Sequence, residues 1–135
     1  MTATRTDPAT RTTRSVRPIA ITILAAAVVN AAIFLAFSAA GATFENTRIP
    51  QPVGLPAVLL LTVVPLLIGL TGVALLSRRW PGLVTVGRIV GPALALLTIA
   101  VPATSGFDTL SFLALTLAHS IVALAVFLGL GALKR

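Results

Sequence analysis

The chain has no cysteine and no tyrosine, a single histidine, a single tryptophan and only three acidic residues. Without cysteine there is no disulfide, no thiolate metal ligand and no thiol nucleophile, whichever face of a membrane is oxidising. The lone histidine, His119, cannot by itself furnish the three or four ligands of a usual zinc site, so neither metal nor other cofactor is expected. Charge is scarce as well. Charged residues make up 10% of the chain, against about 25% in a soluble domain, too few to cover a water-soluble fold of this size.

What fills the space is apolar. Of 135 residues 57% are hydrophobic, and the mean hydropathy is +1.06. The net charge of +7 and a pI near 12.0, read without position, suggest a nucleic-acid binder. Position overturns that reading. The basic residues sit mostly at the edges of apolar runs, and no basic groove interleaved with stacking aromatics is present, so no nucleic-acid partner is expected.

A hydrocarbon core about 30 Å thick is crossed by roughly 20 apolar residues in a helix, and four runs of that kind occur. They cover residues 19–40, 55–76, 83–103 and 109–133. The fold expected is all-α, a polytopic membrane four-helix bundle over residues 18–135, preceded by a disordered basic cytoplasmic tail over residues 1–17. The bundle's first partner is the lipid bilayer. Pro56 suits a first helical turn, whereas Pro65, Pro92 and Pro102 predict bends. The third span is short unless it begins near Pro81 or Leu83, which draws Arg88 into its first turns with its side chain snorkelling to the headgroups. Asp108 is placed to cap the fourth helix, and Lys134 and Arg135 close it.

Nine of the ten basic residues fall in the tail, around the second loop and at the C-terminus, and Arg48 alone falls on the other side. By the positive-inside rule both termini face the cytoplasm, in a multi-pass protein of the cell (plasma) membrane. A competing account makes the first span a cleaved signal, since Ala40-Gly41-Ala42 is an A-x-A pattern, but the run is longer than a signal's apolar core of about 7–15 residues. The tail's four spaced arginines act as a topology determinant or are drawn to anionic headgroups. Thr62-Val63-Val64-Pro65 and Thr116-Leu117-Ala118-His119 each precede a dibasic end, a faint pattern that duplication or chance would produce.

Only two strongly polar side chains lie deep in the spans, Asn30 and His119. Each is about ten residues from the outer end of its helix, or about 15 Å deep, so the two are expected to meet at mid-membrane. One reading is a proton or ligand site, because intramembrane ionisable groups are costly and imidazole changes charge near neutral pH. The other is structural, with a neutral His119 bonded to Asn30 or to a backbone carbonyl. On the third helix Gly87, Gly91 and Ala95 form a small-residue stripe suited to helix packing within the bundle or to homodimerisation.

No catalytic set is visible. Ser105, Ser111 and Ser120 lack a base and an orienting acid, and Glu45 and Asp108 lie on different loops. The chain is expected to be no enzyme. It reads as a partner-binding or accessory bundle whose partner is a second copy or another membrane protein, the alternative being a small oligomeric transporter or channel using Asn30 and His119.

The stretch Gly69-Leu70-Thr71-Gly72-Val73-Ala74-Leu75-Leu76-Ser77-Arg78-Arg79, with the third span and Ala114-Leu115-Thr116-Leu117-Ala118-His119-Ser120-Ile121-Val122, resembles a domain-of-unknown-function family of small four-helix membrane proteins from actinobacteria. Nine Arg to one Lys suits a GC-rich genome of that kind. The resemblance covers nearly the whole chain and implies a topology without an activity or ligand. His119 matches a histidine in that family's last span, although Ala118 stands where the family commonly has Met.

Overall fold

The computed structural model describes residues 8–48 and 51–133. Among them the regular structure is entirely helical: α1 (Pro8–Ala39), α2 (Leu55–Leu76), α3 (Leu83–Leu97), α4 (Ala100–Ala103) and α5 (Thr109–Ala132). Four stretches are long and apolar enough to cross a membrane, Val16–Ala39, Leu55–Leu76, Leu83–Ala103 and Thr109–Ala132. The third is made of α3 and α4 together. This is a multi-pass membrane protein with a four-helix bundle fold.

Two details differ from the expected layout. Helix α1 begins at Pro8, so residues 8–17 carry helical backbone where a disordered tail was expected. Its first residue is a proline, which suits a first turn. Residues 1–7, Lys134 and Arg135 lie outside the described residues. The third span is interrupted at Thr98 and Ile99, just ahead of Pro102. Pro102 has no N–H to give the Thr98 carbonyl, which accepts instead from Val101 N at 3.1 Å. Pro65 and Pro92, by contrast, sit within α2 and α3 without ending them.

The surface is apolar. Leu24, Ile68, Ile89 and Leu97 are each about two-thirds exposed, an arrangement that water would penalise and lipid accepts. Packing inside the bundle uses a narrow seam. Leu66, Leu70 and Leu130 are fully buried with Ile19, Ala26 and Ala125 around them.

Helix α1 packs on both α2 and α5, and α3 packs chiefly on α5. The small-residue stripe explains how α3 comes so close. A Cβ added at Gly87 would lie 3.0 Å from the Leu130 side chain, and one at Gly91 would lie 2.6 Å from Val126. That stripe therefore faces α5 of the same chain. Between α2 and α3 the contact is sparse, and a groove opens there.

One end of the bundle carries the 77–82 loop with Arg78 and Arg79; the other carries the 40–54 and 104–108 loops with Glu45, Arg48 and Asp108. Arg88 lies one turn into α3. Its guanidinium sits 4.3 Å from the centre of the Phe127 ring and against Gly131, where a Cβ would come within 3.4 Å. The charge thus rests on an aromatic face beside the last turn of α5, at the negative end of that helix's dipole.

Candidate functional site: a lateral groove with two polar residues

The groove between α2 and α3 has a volume of about 670 Å³, within the range of small-molecule pockets. Its walls are α2 from Val58 to Val73 and α3 from Leu83 on to the Thr98 that follows it, and α5 floors it. Along α3 that is about 22 Å, most of the way across a membrane core. The lining is apolar except for Asn30, Thr62, Thr98 and His119.

Asn30 reaches the groove from α1 and is 1% exposed. Its amide nitrogen donates to Thr62 Oγ1 at 2.9 Å and to the Ala118 carbonyl at 3.4 Å. Thr62 in turn donates to the Val58 carbonyl one turn back, at 2.8 Å. Asn30 Oδ1 is buried and has no hydrogen-bond partner.

His119 is half-buried on α5. Its Nδ1 lies 2.6 Å from the Leu115 carbonyl one turn earlier. A carbonyl only accepts, so Nδ1 is the donor in that bond. Asn30 and His119 thus line one groove, but each takes its hydrogen bonds elsewhere. The amide bonds to the backbone beside the imidazole, at Ala118, and to Thr62.

Thr62 was not singled out for chemistry by sequence. Depth was the signal available. It lies seven residues from the start of α2, about 10 Å in, close to the level of Asn30. A threonine in an apolar helix ordinarily bonds its own backbone, as Thr98 does to Ala95 at 2.6 Å, so composition does not mark the one that also serves another helix.

A second polar cluster, also unforeseen beyond the Asp108 cap, locks the loop end. Asp108 Oδ1 accepts from Ser111 N at 3.0 Å. Asp108 Oδ2 accepts from the hydroxyls of Ser111 and Thr43 and from Thr43 N. These bonds, from Ser111 first and Thr43 second, hold the Asp108 carboxyl well below the usual carboxylate range. Ser111 Oγ also accepts from Phe44 N at 2.8 Å. Phe44 is buried at a φ of 54°, its ring centred 4.5 Å from that of Phe34.

No curated protein and no solved structure matches the chain. A family model does, over residues 10–135. The chain belongs to the family of unknown function DUF6069.

Proposed function

We propose that this protein is a non-enzymatic accessory bundle of the plasma membrane, with both termini in the cytoplasm, that acts by holding a partner or ligand in the groove between α2 and α3. The observation that carries the reading is the groove itself: long, laterally open and apolar, with Asn30, Thr62 and His119 at mid-depth. No carboxylate or serine lines it among the described residues, so binding accounts for it better than acid–base or nucleophilic chemistry. The orientation rests on Arg17, Arg78, Arg79 and Arg88 lying towards one end, opposite Glu45 and Asp108.

The cysteine-free chain makes the orientation simple to test. In intact cells a membrane-impermeant maleimide is expected to label Glu45→Cys and to miss Gly82→Cys until the cells are opened. The reverse pattern overturns the orientation. Purification in mild detergent tests the accessory role. A strictly monomeric chain that carries neither polypeptide nor lipid-soluble molecule counts against it.

A second reading, an oligomeric transporter or channel, is favoured by Asn30 and His119 lining the same groove. Two copies placed groove to groove would line one path with both pairs. Proton or ion flux in liposomes that is absent, or indifferent to His119→Ala and Asn30→Ala, removes it.

A further inference from the structure

The polar atoms of the groove define what its occupant must bring. Both protons of the Asn30 amide are used, on Thr62 Oγ1 and on the Ala118 carbonyl. The amide cannot be turned round. Ala118 O is an acceptor, and Thr62 Oγ1 has committed its only proton to Val58 O. Asn30 Oδ1 is therefore fixed as an acceptor, in a side chain 1% exposed, with no donor in reach. A buried acceptor left in this state is costly.

The other polar atoms do not relieve it. Thr98 Oγ1 is spent on Ala95 O. His119 Nδ1 is spent on Leu115 O. Neither hydroxyl nor the Nδ1 proton is left to serve Asn30 Oδ1.

We propose that the groove binds a neutral, lipid-soluble molecule with a hydroxyl at its head. The apolar body lies along α2 and α3, and the hydroxyl donates to Asn30 Oδ1, which is closed to water as the helices stand, so that neighbouring side chains shift to admit the head. This assignment rests on the reading of the groove as a binding surface and names the chemistry of what it binds.

Other occupants of a membrane groove bring the wrong groups. A helix from a second copy or another protein has its backbone N–H groups bonded internally, and an apolar face adds no donor. A phosphodiester headgroup is charged and acceptor-only, so at this depth it would set acceptor against acceptor at a high desolvation cost. A carbonyl-headed lipid fails for the same lack of a proton. A hydroxyl supplies the missing donor without a charge.

The test uses the full chain in phosphatidylcholine nanodiscs and a pair of probes, a diazirine-bearing hexadecanol and its methyl ether, which differ in the donor alone. The alcohol is expected to label the walls of α2 and α3, to be displaced by unlabelled hexadecanol, and to bind about tenfold more tightly than the ether, the ratio for one buried hydrogen bond left unmade. Asn30→Leu is expected to erase the difference between the probes.

Gly69→Leu provides a check that leaves the packed seam alone. Gly69 lines the groove and a Cβ there meets nothing within 4 Å, so the new side chain enters the groove and should abolish labelling by both probes. Equal labelling by alcohol and ether at the groove overturns the hydroxyl assignment and leaves the groove a binding surface. Labelling unchanged by Gly69→Leu, or none at the groove, overturns the assignment. In the latter case crosslinks from α2 and α3 to another polypeptide would identify a protein occupant and preserve the broader binding role, while their absence removes that role too.

Discussion

Asn30 on α1 donates to the hydroxyl of Thr62 on α2 across 2.9 Å, in a side chain almost wholly withdrawn from the surface. The second amide proton goes to Ala118 on α5. One residue thereby ties three helices at the depth where lipid supplies no competing donor or acceptor. It also explains why α1 is a structural member of the bundle, with its register against two neighbours set by hydrogen bonds as well as by apolar contact.

The coupling between Asn30 and Thr62 is measurable. A double-mutant cycle with Asn30→Ala and Thr62→Val, followed by unfolding in mixed detergent, should give an interaction free energy of about 0.6 kcal/mol and no more than about 1.7 kcal/mol, the range for hydrogen bonds between membrane helices. Coupling indistinguishable from zero would mean that Ala118 alone holds the amide.

Helix α3 is seated by the absence of side chains at Gly87 and Gly91. At Gly91 a Cβ would fall 2.6 Å from Val126 Cγ1, and valine, branched at Cβ, has little rotamer freedom with which to yield. Gly91→Ala should cost about 1–3 kcal/mol of stability, the range for overpacking. Val126→Ala in the same chain should recover most of that loss. Gly72→Ala, where a Cβ meets nothing within 4 Å, is the control expected to leave unfolding nearly unchanged.

The helices were legible in the sequence because a span needs only a run of apolar residues between charges, and that information is local. Leu83 illustrates it: α3 starts where the length of a crossing required a start. The break at Thr98 was less legible, since Pro92 and Pro102 are alike in sequence and only one coincides with an interruption. The site was legible by depth alone. Depth drew attention to Asn30 and His119, yet rotation about each helix axis decides who bonds whom, and near-uniform apolar helices carry little rotational signal. That is why Thr62, and not the His119 side chain, holds the Asn30 amide.

Asp108 links stability to acid. Its carboxyl is held well below the usual range by Ser111 and Thr43, so the folded state favours the charged form. A depressed carboxylate contributes stability that is fully present above the unfolded-state value of about 3.9 and is lost progressively as pH falls below it. Melting temperatures followed from pH 6 to pH 2.5 should therefore drop more steeply for the natural chain than for Asp108→Asn, and the gap between the two curves should narrow towards the acid end without closing. Parallel curves would show that the Asp108 cluster forms equally well when protonated.

Phe44 gives the last prediction, because two of its properties pull in opposite directions. Its ring is buried against Phe34, and truncating a buried phenylalanine to alanine costs about 3–5 kcal/mol. Its backbone, at a φ of 54°, lies in the left-handed region that a residue with a Cβ adopts at a cost of about 1–2 kcal/mol and glycine adopts freely. Phe44→Ala loses the ring and keeps the strain, whereas Phe44→Gly loses the ring and relieves it. The glycine variant should accordingly be the more stable of the two, the reverse of the usual order for these residues. Thermal unfolding of both in one detergent decides it, and an alanine variant at least as stable as the glycine one would mean that this loop leaves its left-handed turn once the ring is gone.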